Sequence, residues 1–168
     1  MFKWLFGKSE DKAPAAGGTP EIVVVSRKVK APREQAFAAF VDRFDAWWPR
    51  ERRVAGGALS IEPSFNGTVS EAGDPVGMVL SFNRPEQIVI AWQIGPDGRR
   101  EPTESSASRI DVRFVAVDPQ TTDVIVVHRD FPRHGEGWQG YRAEMGARTG
   151  WPQIVEAYAK AVEGSRQH

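Results

Sequence analysis

The spacing of apolar residues changes along the chain, and the first change lies near residue 30. Residues Glu21–Val29 begin as an apolar run and then alternate with polar residues, which predicts a β-strand. Pro32 suits the first turn of a helix, and Phe37 and Phe40 follow it at helical spacing. The pattern therefore predicts a strand and then a short amphipathic helix over residues 32–42.

Strand-like segments separated by glycine and proline fill the middle of the chain. Asn66 and Gly67 form a dipeptide that is typical of two-residue hairpin turns. Further reversals are indicated at residues 85–86 and 118–119, where proline occurs beside an acidic residue. We predict six strands in this region: Ala58–Phe65, Gly67–Glu71, Val76–Asn83, Gln87–Ile94, Ser106–Val117 and Thr122–Phe131.

The last forty residues change to the period of an α-helix. Trp138, Tyr141 and Met145 share one face of a first helical stretch, and a glycine-bearing interruption follows it. A second and longer helix has a continuous apolar face, formed by Trp151, Ile154, Val155, Tyr158, Ala159 and Val162.

Strands and helices are segregated along the chain and do not alternate. A second short helical turn, with Phe44, Trp47 and Trp48, follows the first helix. This order predicts an α+β domain with an antiparallel sheet of about seven strands and a long C-terminal helix laid across it. We place one domain at residues 21–164, with a frayed end at 165–168.

Residues 1–20 combine a short aromatic patch with a run of proline, alanine and glycine. Phe2, Trp4 and Phe6 lie beside Lys3 and Lys8, which is compatible with weak contact to a membrane surface. The alternative is a frayed terminus followed by a flexible linker. The apolar stretch is too short for a signal peptide or for crossing a bilayer, so we expect neither.

Composition narrows the classes of function. Lys and Arg total 22 and Asp and Glu total 22, so the formal net charge is zero. Because nucleic-acid binding depends largely on basic contacts to phosphate, we expect no nucleic-acid partner. The chain has no cysteine, which excludes disulfides, thiolate metal sites and thiol nucleophiles. The lack of cysteine also fits a cytoplasmic location, which we expect.

Four stretches of the chain resemble a known family. Together they cover most of residues 22–163, and their order is similar to the helix-grip fold of the START/Bet-v-like superfamily, also called SRPBCC. In detail they resemble its branch named after the activator of the heat-shock-protein-90 ATPase. The stretches are VVVSRKVKAPREQAFAAFVDRFDAWWP (23–49), AWQIGPDGR (91–99), SRIDVRFVAV with TDVIVVHRDFPRHGEGW (108–138), and GWPQIVEAYAKAV (150–162).

The resemblance implies a curved sheet that encloses a ligand cavity against the long helix, and it implies no cofactor. Strand alternation identifies inward positions, such as Trp92 and Val126. The alternative is that the inward side chains only fill a core. The expected lining is Trp47, Trp48, Phe65, Trp92, Val112, Phe114, Val126, His128, Trp138, Tyr141, Trp151, Val155 and Tyr158.

His128 is the candidate catalytic residue because it is polar at an inward position of the last predicted strand. It would act as a general acid or base near neutral pH, or bind a carbonyl or hydroxyl group of a ligand. The alternative is a structural histidine bonded to a neighbour such as Asp130 or Tyr141. We favour a ligand contact or a structural role over catalysis.

Other motifs give little support for catalysis or metal binding. The chain has three histidines, one of them terminal, and neither the H-E-x-x-H nor the G-x-S-x-G pattern occurs. We therefore expect no metal site. The mixed charges of residues 50–53 favour a solvated loop over an anion-binding site.

The last predicted strand is apolar on both faces. Ile125 and Val127 occupy outward positions, and Val89 and Ala91 have the same parity on a nearby strand. Exposed apolar surface of this extent is uncommon on monomers. We therefore expect either a homodimer formed through this surface or cover by the N-terminal aromatic residues.

These observations favour a protein that binds a small hydrophobic or aromatic ligand in an internal cavity, with a stress-response or regulatory role. A first rival is an enzyme of the aromatase/cyclase type that uses His128 with Arg113 or Tyr141. A second rival is an interaction module that engages a chaperone or a second copy of the chain. Since ligand sites usually exceed about 300 Å³, a core without such a cavity would favour the second rival.

Overall fold

In the computed structural model, which describes residues 21–101 and 103–165, strands and helices follow the order expected from the sequence. The expectations about the tail, the extreme C-terminus, Phe2, Trp4 and Phe6 lie outside these residues. The strands are β1 (Val23–Val29), β2 (Leu59–Ile61), β3 (Thr68–Glu71), β4 (Asp74–Asn83), β5 (Gln87–Trp92), β6 (Ser108–Asp118) and β7 (Thr121–Arg129). The helices are α1 (Arg33–Asp42), α2 (Phe44–Trp47), α3 (Trp138–Gly146) and α4 (Trp151–Ser165), with 3-10 turns at Arg50–Arg52, Glu104–Ser106 and Phe131–His134.

All seven strands belong to one antiparallel sheet in the order β1-β7-β6-β5-β4-β3-β2. The sheet is curved, and the C-terminal helix α4 completes the helix-grip arrangement. The predicted α+β fold class is therefore confirmed. No helix in the described part of the chain is long and apolar enough to cross a membrane.

The segment predicted as a strand over Ala58–Phe65 is a strand only at β2. The Gly67 N–H donates to the Ser64 carbonyl at 2.8 Å, and Asn66 has a φ of 64°, so the chain turns before β3. A Cβ at Gly67 would lie 2.2 Å from the Glu62 carbonyl oxygen, so a larger residue does not fit there. The turn therefore occupies residues that alternation assigned to the strand.

Helix α4 packs its apolar face into the core, as its periodicity predicts. Trp151, Ile154 and Ala159 are fully buried. The Tyr158 hydroxyl donates to the Ala36 carbonyl at 2.6 Å and so joins α4 to α1. Truncating a buried aromatic side chain to alanine typically costs about 3–5 kcal/mol, so aromatic packing of this kind contributes much of the stability.

The outer face of the sheet is more closed than the sequence pattern indicated. Val89 and Ala91 are buried, and Ile125 and Val127 are half-buried. On the neighbouring edge strand β1, Val24 is 55% exposed and pairs with Val127. Exposed apolar side chains on this face therefore lie beside β1 and also at the end of β6, where Val115 is 48% and Val117 is 51% exposed.

A charged cluster occupies the centre of the same outer face. Asp111 on β6 accepts a hydrogen bond from the Gln87 side chain at 2.9 Å. The guanidinium groups of Arg113 and Arg129 each lie 3.6 Å from its carboxylate. Arg113 therefore lies on the opposite side of the sheet from His128, and the expectation that the two act together in one site is wrong.

Candidate functional site

Most residues that were expected to line a cavity lie in one buried aromatic cluster. The Trp48 ring centroid is 5.0 Å from that of Trp92 and 5.5 Å from that of Trp151. Eleven of the expected residues are at most 7% exposed: Trp47, Trp48, Trp92, Val112, Phe114, Val126, His128, Tyr141, Trp151, Val155 and Tyr158.

Two expected residues differ from the others. Phe65 is 68% exposed because it lies in the turn between β2 and β3 and not on a strand, so its placement in the lining is wrong. Trp138 begins α3 and is only partly buried against the core.

Trp48, Trp92 and Tyr141 also line a small cleft that reaches the surface. Its walls come from three parts of the chain: the 3-10 turn after α2, the loop after β5, and α3. The cleft has a volume of about 70 Å³. The other lining residues are Glu51, Arg52, Ile94, Gly95, Pro96, Gly98, Glu144 and Met145.

An arginine joins two walls of the cleft. Arg52 donates to the Glu144 carboxylate and to the Thr149 carbonyl, both at 3.1 Å, and it lies 3.4 Å from the Met145 sulfur. The Arg52 side chain is 14% exposed and that of Glu144 is 55% exposed. This ion pair therefore connects the 3-10 turn to α3, and one of its two partners is open to solvent. Ion pairs that are exposed to solvent contribute at most about 1 kcal/mol to the free energy of unfolding.

Tyr141 provides the phenolic group of the cleft. Its hydroxyl donates to the Ile94 carbonyl at 2.9 Å, which joins α3 to the loop after β5. Burial raises the pKa of Tyr141 strongly, and the hydrogen bond with Trp92 only partly opposes this effect. The hydroxyl is therefore neutral at physiological pH.

A chain of buried hydrogen bonds passes behind the cleft. The Trp151 indole N–H donates to Nδ1 of His128 at 2.9 Å, and Nε2 of His128 lies 2.7 Å from the Ser108 hydroxyl. The same hydroxyl lies 2.8 Å from Nε2 of His134, whose Nδ1 is 3.3 Å from the Glu101 carboxylate. We call these five residues the buried relay.

The donors and acceptors assign the protons along the buried relay. An indole nitrogen can only donate, so Nδ1 of His128 accepts and its Nε2 carries the proton. The Ser108 hydroxyl then accepts from His128 and donates to Nε2 of His134. Nδ1 of His134 carries the remaining proton and donates to Glu101.

Both histidines of the buried relay favour the neutral form. Burial lowers the pKa of His128 well below its ordinary value, and the nearby His134 lowers it further. Burial also lowers the pKa of His134, although Glu101 acts in the opposite direction. Protonation of His128 would place a new N–H against the Trp151 N–H, which gives the shift a geometric reason as well.

The hydrogen bonds of the buried relay favour a structural role over a role in acid–base catalysis. Both nitrogens of His128 are engaged by protein groups, so neither is free for a ligand. Ser108, His134 and Glu101 have the connectivity of a catalytic triad. Ser108 is completely buried, however, and its oxygen already accepts from His128, so it cannot attack an external carbonyl group.

Several residues of the site were missed in the sequence because they depend on tertiary contacts. Ser108 occupies an inward position of β6 by parity, which was a detectable signal, whereas its contact with His134 depends on a turn 26 residues away. The charged run at residues 50–53 is also not a simple solvated loop. Arg53 is buried and binds Asp45 at 2.7 Å and the Trp48 carbonyl at 2.6 Å.

The outer end of the buried relay meets a polar pocket. Glu101 and His134 line this pocket, which has a volume of about 370 Å³ and shares Gly95 and Pro96 with the cleft. Within the described residues, no three histidine or acidic side chains gather as a metal ion would require.

Residues 30–163 match the model of the family described as activator of Hsp90 ATPase homolog 1-like protein. The chain belongs to this family. The matched region contains α1 to α3, α4 except for its last two residues, and every residue of the cleft and the buried relay. Among curated protein sequences, none matches the chain significantly.

Solved structures similar to this family member differ in their described roles. The self-sacrificing resistance protein CalC from Micromonospora echinospora is 28% identical, with 88% of this chain and 97% of that chain covered and a TM-score of 0.65. The anthrahydroquino-γ-pyrone synthase Txn09, solved in complex with SUM, is 26% identical, with 85% and 97% covered and a TM-score of 0.59. The Aha1 dimer from Colwellia psychrerythraea is 15% identical, with 84% and 96% covered and a TM-score of 0.57, which shows the fold alone.

Proposed function

We propose that this protein binds a small planar hydrophobic or aromatic ligand at the cleft formed by Trp48, Trp92 and Tyr141. The observation that carries this proposal is the cleft's position directly on the buried aromatic cluster. Aromatic walls with a few polar groups are typical of small-molecule sites. The similar synthase Txn09, which was solved with a bound compound, supports the same choice.

The ligand must either be small or widen the cleft. A volume of about 70 Å³ is well below the roughly 300 Å³ of an ordinary ligand site. The Arg52–Glu144 bridge joins two walls, and its Glu144 partner is exposed, so it can open at low cost. The loop after β5 contains Gly95 and Gly98, which form the third wall.

Filling the cleft tests this proposal. Met145→Phe places a larger side chain in the cleft without removing an aromatic wall, and Met78→Phe on β4 is the matched control because Met78 is half-buried outside the cleft. Binding of 1-anilinonaphthalene-8-sulfonate is measured by its own fluorescence and by quenching of tryptophan. We expect saturable binding to the wild type and to Met78→Phe, weakened at least tenfold in Met145→Phe. Equal affinity in all three proteins would contradict a site in the cleft.

A second candidate function is self-association through the outer face of the sheet. The small volume of the cleft and the exposure of Ile22 (45%) and Val24 (55%) beside the half-buried Ile125 and Val127 favour it. The Aha1 protein from Colwellia psychrerythraea is described as a dimer. In this role the chain would pair with a second copy, or engage a chaperone, by covering the apolar surface near β1.

A further inference from the structure

Four tryptophans of the described chain are buried together, and one of their indole N–H groups lacks a hydrogen-bond acceptor. Trp47 donates to the Ala39 carbonyl at 3.0 Å, and Trp151 donates to His128 at 2.9 Å. The Trp92 side chain interacts with the Tyr141 hydroxyl and lowers the pKa of Tyr141. The buried Nε1 of Trp48 has no acceptor among the described residues.

The unpaired donor belongs to the residue that lines the cleft. Trp48 is 3% exposed, and its ring packs against those of Trp92 and Trp151 on the inner side. A buried polar group without a partner destabilises the protein, and such groups are few in native structures. Because Nε1 itself has almost no accessible surface, an acceptor from outside the chain reaches it and removes this cost only when the cleft widens.

We infer that the ligand carries a hydrogen-bond acceptor oxygen, in the form of a carbonyl group on a planar hydrophobic frame, and that Trp48 Nε1 donates to it. This inference rests on the proposed function of the cleft and adds the chemical class of the ligand. The frame packs against Trp92 and Met145, while the oxygen meets Trp48. The neutral Tyr141 hydroxyl already donates to Ile94, so Trp48 provides the free donor of the aromatic wall.

Specificity follows from this single donor. A site that holds an unpaired donor rejects a ligand that lacks the matching acceptor, because the donor then stays unpaired in the complex. A hydrocarbon of the same shape fills the same space without satisfying Trp48. The difference between two such ligands therefore isolates the hydrogen bond from the hydrophobic contribution.

The test compares 1-indanone with indane, which share one bicyclic frame and differ in the carbonyl group. Dissociation constants for both are measured by ligand-observed NMR titration on the wild type, Trp48→Phe and Trp47→Phe. Trp47 is the matched control because its N–H is already bound to Ala39. We expect the ratio of the indane to the indanone dissociation constant to fall about three- to tenfold in Trp48→Phe and to stay unchanged in Trp47→Phe.

A second measurement on the wild type covers the case in which Trp48→Phe folds poorly. In a ¹H–¹⁵N spectrum, the indole signal of Trp48 should move downfield on addition of 1-indanone and stay in place on addition of indane. An unchanged affinity ratio, or an indole signal that responds equally to both compounds, would overturn the role of Trp48 while leaving the cleft as a binding site. Failure of both compounds to bind would overturn the proposed function and this inference with it.

Discussion

Replacing His128 by leucine tests the assignment of the buried relay most directly. The variant leaves the Trp151 indole N–H without its acceptor and removes one donor from Ser108. A buried donor without a partner costs about 1–3 kcal/mol, and one lost buried hydrogen bond adds about 1 kcal/mol. We therefore expect His128→Leu to lower the free energy of unfolding by about 2–4 kcal/mol at pH 8.

The same variant should change how stability depends on pH. The folded-state pKa values of His128 and His134 lie below the ordinary value of 6.5, so below about pH 6.5 the unfolded chain binds protons that the folded chain does not. The stability is thus fully present above pH 6.5 and is lost as pH falls toward the folded-state values. Each histidine contributes a loss of up to about 1.4 kcal/mol per pH unit, and His128→Leu removes one of the two contributions.

Urea unfolding monitored by circular dichroism between pH 8 and pH 5.5 measures both effects. Trp151→Phe and the double variant with His128→Leu complete a mutant cycle, in which the two changes should be less costly together than their sum. The assignment of donors and acceptors would be refuted by additive costs in this cycle. Equal pH dependence of the wild type and His128→Leu would refute the neutral, hydrogen-bonded state of His128.

Two further predictions concern the surroundings of the cleft and the outer face. Glu71→Gln should lower the free energy of unfolding, measured in urea, by about 1–3 kcal/mol, because the Glu71 carboxylate accepts hydrogen bonds from the backbone N–H groups of Val54, Ala55 and Gly57. Glu62→Gln at an exposed position should have a smaller effect, and equal effects of the two variants would contradict this role of Glu71 in holding the loop. If the chain self-associates, Ile125→Glu and Val127→Glu should convert it to monomer in sedimentation velocity while Phe65→Glu in the exposed turn does not. A wild type that is monomeric at high concentration would contradict the dimer.

The pH dependence that Glu71 contributes has the same sign as that of the histidines, because a lowered folded-state pKa in either case destabilises the folded chain as pH falls. Burial alone would raise the pKa of Glu71, but the backbone N–H groups of Gly57, Ala55 and Val54 lower it below its ordinary value of 4.5. The folded chain therefore holds the carboxylate charged, and this stabilisation is lost as pH falls through the folded-state pKa. The loss of stability that Glu71 causes occurs at a lower pH than the loss that the histidines of the buried relay cause. The two losses can therefore be separated when the free energy of unfolding is measured as a function of pH.

The inward faces of the strands could be predicted because side chains alternate with a period of two. Val124, Val126 and His128 are all buried on β7, as parity requires. The same rule places Arg113 on the outer face, opposite His128, where the structure also has it. Alternation fixes the direction of a side chain but not its partners.

The partners in the site depend on contacts that no local pattern contains. Ser108 meets His134 only because Asp130 adopts a left-handed conformation, with φ 64°, and turns the chain after β7 into a 3-10 turn. Arg52 meets Glu144 from a position 92 residues earlier. The cluster of aromatic residues was predictable in composition, but the identity of its one unpaired N–H was not, since it depends on distances to particular carbonyl groups.

Because the three walls of the cleft come from separate parts of the chain, ligand binding in the cleft would depend on the whole domain being folded. Trp48, Trp92 and Tyr141 lie far apart in the chain, and they come together only when the first helices, the middle of the sheet and α3 have all assembled. A ligand that binds in the cleft as we propose would therefore bind the native state alone, and its binding energy would add to the free energy of unfolding. At a concentration one hundred times its dissociation constant this amounts to about 2.7 kcal/mol. A rise in melting temperature across a compound library would thus identify the natural class of ligand without any assay of activity.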